Sequence, residues 1–234
     1  MIVTRNATRI LNWILDHLLP PVLRDSRAFM SLPMRLLCGP KARAFMEFKE
    51  RAPSLDAEAF SAAYDFFSDC HLDRPTCLTP ELTARILGDV VGSRVLDAGC
   101  GRGYLCERLA ALPGVSATGI DIAVPGTGET GDNPSYVSGS IEALPFSDGS
   151  FDTVVCAHAL EHVLDLHGAI RELRRVARSR LIVVVPRQRP YRYTFDLHLH
   201  FFPYAFSLRQ AMGRADSLCE AVGQDLYYLE EELP

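Results

Sequence analysis

The chain has 234 residues, which suits one α/β domain of ordinary size with an elaboration and is long enough to bury a sizeable core. Apolar residues make up 48% of the sequence and charged residues 23%, and both values are typical of a globular protein. The formal net charge of −5 argues against nucleic-acid binding as the main task, so no nucleic-acid partner is expected.

The cysteines predict a reducing, cytoplasmic setting rather than a disulfide framework. There are seven of them, an odd number, and they are scattered along the chain without any C-x-x-C pair. Cys70-His71 with Cys77 comes nearest to a metal cluster, but its spacing matches no common zinc site. We therefore predict no metal site.

Residues 1–92 are predicted to form a helical block without strands. The apolar run from Ile10 to Leu19 has helical spacing but is far too short for a membrane span, and no targeting segment is expected. Thr79-Pro80-Glu81 is typical of a helix N-terminus, and its helix should pack on the sheet just before the first strand. The predicted helices are 10–19, 25–37 with an interruption at Pro33, 41–51, 56–68 and 79–87.

The sequence leaves the role of this block open. It can cap a ligand cleft, pack on its own domain, form a homodimer contact or lie on a membrane surface. The apolar stripe around Trp13, with Arg5, Arg9 and Arg24 nearby, permits membrane-surface contact through the N-terminal helices.

From Arg94 onward, apolar runs alternate with helical patterns. For residues 93–234 this predicts a doubly wound, mostly parallel Rossmann-like α/β sheet with helices on both faces, preceded by the helical N-terminal cap of residues 1–92. We expect either a sheet of six strands or a sheet whose last strand lies within 190–202. The predicted strands are 94–98, 117–121, 136–139, 152–157, 181–185 and 225–230. The predicted helices are 103–112, 164–177 and about 204–222, the last with a break near Gly213 as an alternative.

A glycine-rich stretch links the first strand to its helix. Gly99, Gly101 and Gly103 allow positive φ and let backbone N–H groups approach a ligand without a Cβ in the way. The next apolar run ends in Asp121, whose carboxylate can accept two hydrogen bonds from a ribose diol. Together they predict a nucleoside-containing cofactor at the carboxyl edge of the sheet.

Two details bear on which cofactor this is. A dinucleotide-binding loop has the pattern G-x-G-x-x-G, whereas the third glycine here comes one residue early. Asp97 stands two residues before the first glycine, where a carboxylate would repel a pyrophosphate but suits a cationic amino or sulfonium group. Both details argue against the rival interpretation, a nicotinamide dehydrogenase on a similar fold.

Several segments, in the right order, resemble the motifs of class I S-adenosylmethionine-dependent methyltransferases, in the type 11-like branch that acts on small molecules. Val95–Gly103 resembles the first motif and Gly119–Ile122 the second. Gly139–Phe146 and Phe151–Cys156 resemble the third and fourth, and His158–Val163 resembles the segment that follows the fourth strand.

The resemblance implies S-adenosylmethionine as cofactor, S-adenosylhomocysteine as product and a small-molecule methyl acceptor. Asp97 should hold the methionine amino group, Asp121 the ribose hydroxyls, and Ile122 should pack on the adenine. The family often places an acid after the third strand to bind the adenine amino group. Here that position is Ser140, with Ile141 and Glu142 as substitutes. The expected cofactor-binding residues are Asp97, Gly99, Cys100, Gly101, Asp121, Ile122, Ser140, Ile141, Glu142 and Ala157.

Catalytic candidates follow the fourth strand and the fifth. The tetrapeptide typical of amino-group methyltransferases acting on nucleic acid and protein is absent, which argues against those substrates. Oxygen is the expected acceptor atom, with His158 or His198 as the base. His198 and His200 can instead be bonded to the backbone of a folded loop. The arginines at 187, 189 and 192 can recognise an acidic substrate or be solvated. An S-adenosylmethionine-binding scaffold without transferase activity is the alternative function.

Overall fold

A computed structural model describes residues 14–15, 18–67, 76–124, 133–231 and 233. The chain divides into two compact units. The helical unit comprises residues 1–74 and 189–199, and the sheet unit comprises residues 75–188 and 200–234. This division rests on compactness alone, and the predicted domain boundary between residues 92 and 93 stays a prediction.

Four helices form the described part of the helical unit. They are α1 (Pro21–Arg24), α2 (Arg27–Cys38), α3 (Ala42–Arg51) and α4 (Ala57–Phe66). The predicted interruption at Pro33 is wrong, because α2 runs through this residue. The Ser26 side chain caps the helix N-terminus, and Met30 and Met34 are buried one turn apart, so packing outweighs the hydrogen bond that proline cannot donate.

Aromatic rings hold α3 against α4. The Phe48 ring lies 5.9 Å from Phe60, 6.1 Å from Tyr64 and 5.9 Å from Phe67, measured between ring centroids. Phe60, Tyr64 and Phe67 stand three and four residues apart, a spacing that predicts one shared helix face, and their common contact with Phe48 confirms it. Edge-to-face ring pairs of this kind add to the stabilisation from simple burial.

The loop 189–199 belongs to the same unit and is tied to α3. Lys49 donates from Nζ to the Tyr191 carbonyl at 3.3 Å, and Arg192 pairs with Glu50 at 3.0 Å. Burial lowers the pKa of Lys49 to about 8, against the opposing pull of Asp196.

Seven strands form one sheet in the sheet unit, in the order β3-β2-β1-β4-β5-β7-β6. The first five are parallel, and β7 and β6 are antiparallel, as the predicted fold class requires. The strands are β1 (Arg94–Ala98), β2 (Ser116–Asp121), β3 (Ser135–Ser138), β4 (Phe151–Ala157), β5 (Ala177–Pro186), β6 (Leu218–Val222) and β7 (Asp225–Glu231).

Apolar side chains alternate between the two faces of this sheet. Val95 packs with Leu82 of the helix that precedes it, whereas Leu96 belongs to a second buried cluster that includes Leu173. The first of these contacts confirms that the helix begun by Thr79 packs on the sheet. The helices of the unit are α5 (Pro80–Asp89), α6 (Tyr104–Ala110), α7 (Leu166–Val176) and α8 (Ala205–Met212).

The C-terminal prediction needs one correction. The alternative of a break near Gly213 is confirmed, because α8 ends before this residue, which takes φ +69°. The part after the break is not helical, since Leu218–Val222 forms strand β6. That strand pairs with β7 through a hairpin whose turn contains Gly223 at φ +62°, a conformation that glycine adopts without strain. The expected alternatives, six strands or a last strand within 190–202, are therefore both wrong.

Three sequence-based predictions fall largely outside the described residues. They concern the helix over 10–19, the pair Cys70-His71, and residues 123–135, whose glycines and prolines predict a connection without a long helix. Among the helices that the structure does describe, none is both long enough and apolar enough to cross a membrane.

A buried carboxylate on β7 offers a test of this packing. Glu230 is 2% exposed and accepts hydrogen bonds from Nε and Nη2 of Arg174, at 2.7–3.1 Å, and from the Tyr228 hydroxyl at 2.6 Å. We predict that Arg174→Gln lowers the free energy of unfolding by about 2 kcal/mol or more, because it leaves this charge with weaker compensation.

Urea unfolding followed by circular dichroism measures this loss. Arg171→Gln on the same helix is the control, because its side chain is 72% exposed and lies 3.8 Å from Asp165. It should change stability by less than about 0.5 kcal/mol. Equal effects of the two variants would contradict the packing described for Glu230.

Candidate functional site

The carboxyl ends of four parallel strands bring the predicted site residues of the sheet unit to one edge. Asp97 on β1 lies beside Gly119 of β2 and Val155 of β4. Asp121 at the end of β2 lies beside Ser138 of β3. Because parallel strands share this edge, the four loops that follow them converge, and ligands of such sheets bind there.

The bend after β1 is open at its middle and closed at its ends. A Cβ on Gly99 would lie 2.3 Å from the Ala159 Cβ, and one on Gly103 would lie 2.3 Å from the Tyr136 hydroxyl oxygen. A Cβ on Gly101 would meet nothing within 4 Å, although its φ of +52° still favours glycine. The bend therefore presents bare backbone to open space at Gly101.

Backbone hydrogen bonds fix this bend on its neighbour strand. The N–H groups of Gly99 and Cys100 both donate to the Ile120 carbonyl, at 2.8 and 3.0 Å. Burial raises the pKa of the Cys100 thiol far above its usual range, with the nearby carboxylates adding to the shift, so the thiol stays neutral. The backbone of Cys100 is engaged within the bend, since its carbonyl also accepts from the Gly103 N–H at 2.9 Å, and its contact with a cofactor stays a prediction.

Asp121 holds the bend from the end of β2. Its Oδ2 accepts from the Gly101 N–H at 2.9 Å and its Oδ1 from the Ala123 N–H at 3.1 Å. Each carboxylate oxygen has a second lone pair, so the oriented group can still accept from a ligand. The neighbouring Ile122 leaves 41% of its surface exposed, so an apolar surface lies next to this carboxylate.

Asp97 is a buried carboxylate with incomplete hydrogen bonding. It is 2% exposed and accepts from the Cys106 N–H, while its Oδ2 is buried and has no hydrogen-bond partner among the described residues. Burial, and secondarily the charge of Asp121, raise the pKa of Asp97 to about 7. An ammonium group is the kind of partner that such an oxygen lacks.

Side chains of the turn after β3 hydrogen-bond to backbone N–H groups within the turn and in the next loop. Ser140 accepts from the Glu142 N–H at 3.1 Å, and Ile141 is buried. The Glu142 Oε1 accepts from the backbone N–H groups of Leu164 and Asp165, at 2.5 and 2.8 Å. Glu142 thus ties the third loop to the fourth, and contact of residues 140–142 with adenine stays a prediction.

His158 follows Ala157 at the end of β4 and has an unusual backbone. Its φ is +55°, a left-handed value that costs a residue with a Cβ about 1 kcal/mol or more and that tends to occur at functional sites. The ring lies between two carboxylates, with Nδ1 3.4 Å from Glu161 and Nε2 3.5 Å from Asp225. The expected base is therefore placed at the predicted edge and held by acidic neighbours.

Glu161 and Asp225 were not among the predicted site residues. Glu161 lies in the predicted motif after β4, but the sequence does not show that its side chain turns inward to complete burial. Asp225 begins β7, opposite Pro186 at the end of β5. Because β7 is antiparallel, its first residue shares the edge where the parallel strands end, and this topology is the signal that could have identified it.

The two later histidines belong to different units. His198 lies in the helical unit, where its Nδ1 is 3.4 Å from Asp196 and its backbone N–H donates to the same carboxylate. His200 lies in the sheet unit, where its ring Nε2 is 2.9 Å from the Val163 carbonyl oxygen, and burial lowers the pKa of His200. The structural prediction of backbone-bonded histidines is confirmed for His200, and a catalytic role for His198 stays a prediction.

A comparison with known protein families gives a match over the part of the chain that forms this edge. A family model described as a methyltransferase domain matches residues 96–185, which begin in β1 and end in β5. The chain is 33% identical to a ubiquinone/menaquinone biosynthesis C-methyltransferase of Hahella chejuensis, over 54% of this chain and 56% of that protein. It is 41% identical to a ubiquinone biosynthesis O-methyltransferase of Methylocella silvestris, over 34% of each.

A sterol 24-C-methyltransferase of Gibberella zeae is 32% identical over 44% of this chain and 30% of that protein. The chain thus spans between 30% and 56% of the length of these curated relatives.

Solved structures agree on the fold. A chain of the complex between the Trm112 methyltransferase activator and a methyltransferase of Haloferax volcanii superposes with a TM-score of 0.54, at 17% identity, over 76% of this chain and 95% of that one. A SAM-dependent methyltransferase of Aquifex aeolicus gives a TM-score of 0.50 at 16% identity, over 75% of this chain and 98% of that one. With the motifs, the family match and the sheet order in agreement, this chain contains a class I S-adenosylmethionine-dependent methyltransferase domain of the type 11 family.

Proposed function

We propose that this chain transfers a methyl group from S-adenosylmethionine to an oxygen atom of a small-molecule acceptor. The observation that supports cofactor binding most directly is the buried Oδ2 of Asp97, which has no hydrogen-bond partner among the described residues. The amino group of the cofactor's methionine part supplies a cation for this oxygen, and a pyrophosphate would be repelled by it.

The other residues of the edge fit the same molecule. The bare backbone at Gly101 leaves room for a ligand, and the carboxylate of Asp121 is oriented to accept from ribose hydroxyls. Ile122 offers an exposed apolar surface for an adenine, beside the turn of residues 140–142. When bound, the cofactor supplies an electrophilic methyl group, so the task left to the protein is to position the acceptor and manage its proton.

An oxygen acceptor is the finer part of the proposal. The relatives include proteins named as carbon and as oxygen methyltransferases, so their names alone favour neither atom. His158 supports oxygen because a hydroxyl acceptor must lose its proton, and an imidazole at the end of β4 can take it near neutral pH. His198 is the second proposed base, from the loop of the helical unit.

Cofactor binding is tested with S-adenosylhomocysteine by calorimetry. Asp121→Asn should weaken the affinity about tenfold and Asp121→Ala further, because a hydrogen bond to a charged group contributes about 1.5–3 kcal/mol. Asp216→Asn, an exposed aspartate in the turn before β6, is the matched control and should bind as the wild type does. Absence of binding by the wild type, or unchanged binding by both Asp121 variants, would refute the cofactor assignment.

Transfer itself is tested by the release of S-adenosylhomocysteine in the presence of hydroxyl and carbon acceptors. His158→Gln should lower the turnover rate with a hydroxyl acceptor about a hundredfold and leave the affinity for S-adenosylhomocysteine within about twofold, because general-base catalysis contributes roughly 10²–10⁴-fold. A carbon acceptor as the faster substrate would overturn the oxygen assignment. Cofactor binding without turnover on any acceptor would instead support the alternative, a binding scaffold.

A further inference from the structure

Three side chains form a buried cluster that the proposed reaction uses only in part. His158, Glu161 and Asp225, here termed the acid–imidazole–acid cluster, lie in a row with 3.4 and 3.5 Å between the ring nitrogens and the carboxylate oxygens. Their side chains are 14%, 1% and 9% exposed, respectively. Among the described residues His158 is the single non-glycine residue with a positive φ, so the fold holds its ring in this place at a backbone cost.

The two carboxylates are fixed by different elements. Glu161 lies in the short 3-10 turn Leu160–His162, and its carbonyl accepts from the His200 N–H at 3.1 Å. Asp225 is the first residue of β7, where the neighbouring Gln224 carbonyl accepts from the Arg187 N–H at 2.8 Å. Because neither carboxylate depends on the other for its position, the ring is oriented from both sides.

Other titratable groups around the cluster are few in the described part of the chain. The His162 Nε2 lies 3.9 Å from the Glu161 oxygen that faces His158, and the charge of Glu161 also acts on His200. Burial raises the pKa of the Cys156 thiol on β4, with Glu161 as the next cause, so this thiol is neutral. The charge next to the His158 ring therefore comes from the two carboxylates, with His162 as a more distant partner of one of them.

We propose that Glu161 and Asp225 are positioning residues that orient the His158 ring and favour its protonated form, so that His158 retains the proton it takes from the methyl acceptor. Glu161, the more deeply buried acid, lies 3.4 Å from Nδ1 and Asp225 lies 3.5 Å from Nε2, so negative charge acts on the ring from both sides. This resembles the general arrangement in which a carboxylate fixes the tautomer of a catalytic histidine and stabilises the imidazolium that forms.

The proton balance is simple. The acceptor oxygen gains the methyl group and loses its hydrogen, which moves as a proton to the His158 ring, while the electron pair of the broken sulfur–methyl bond stays on sulfur. This inference rests on the proposed function for its catalytic meaning. The orientation and protonation of the ring can be measured without any turnover.

The test is a histidine titration by NMR of the full chain labelled in its histidine rings, with the His158 signal assigned by its loss in His158→Gln. Removing one negative neighbour should lower the titration midpoint of His158 by about one pH unit, because an opposite charge at this distance favours the charged form of a base. Asp225→Asn and Glu161→Gln should each do so, and the exposed control Asp216→Asn should not.

An unchanged midpoint in folded Asp225→Asn overturns the proposal, whatever the other variant shows. Because Glu161 is fully buried, Glu161→Gln can fail to fold, and Asp225→Asn then decides the question alone. In kinetics with a hydroxyl acceptor, the acidic limb of the rate profile should move to lower pH in Asp225→Asn by the same amount. A merely structural role would lower the rate without this movement.

The outcomes also separate the two proposals. If wild-type chain fails to bind S-adenosylhomocysteine but the His158 midpoint falls in Asp225→Asn, the proposed function is wrong and the cluster is real. If binding and turnover are found but the midpoint does not move, the methyltransferase proposal stands and the role given to Glu161 and Asp225 is refuted.

Discussion

The unsatisfied carboxylate of Asp97 is the constraint on which the rest of the site depends. A charge buried in the core of a sheet, beside a second carboxylate at Asp121, is destabilising unless it is neutralised or paired. The chain meets this cost in part with a pKa raised to about 7 and one backbone hydrogen bond. The remaining oxygen has no partner among the described residues, and the proposed function pairs it with the ammonium group of a ligand.

The loops around Asp97 are joined by side chains from neighbouring strands rather than left as independent segments. Asp121 joins the second loop to the first through Gly101, and Glu142 joins the third to the fourth through Leu164 and Asp165. His158 reaches across to the start of β7. Such mutual anchoring keeps the donors and acceptors in place before a ligand arrives, which reduces the cost of ordering them on binding.

The sequence predicts this architecture well where local pattern and burial agree. Gly99, Gly101 and Gly103 all take positive φ, and the carboxylates near the ends of β1 and β2 lie at one edge, as the strand–loop–helix pattern implies. The prediction fails where tertiary contacts override local signals. Pro33 lies within a continuous helix because buried methionines hold it there, and 218–222 is a strand because a glycine turn lets it pair with β7.

The site shows the same limit. The use of Glu142 as a tie between loops, and the approach of Asp225 to His158, depend on distances between segments far apart in the chain. The first pairs residues over 20 apart and the second residues over 60 apart in sequence, and no short motif encodes either contact. Motif residues near one strand end are therefore predictable, whereas the acids that orient them become visible only once the order and direction of the strands are known.

Proton exchange on ligand binding tests the central claim most directly. Asp97 is mostly protonated at pH 6 because its pKa is raised to about 7, and an ammonium partner would lower that pKa and expel the proton. Calorimetry of S-adenosylhomocysteine binding in buffers of different ionisation enthalpy should therefore show release of close to one proton at pH 6 and far less at pH 8. Binding without proton release at pH 6, or with equal release at both values, would contradict the role assigned to Asp97.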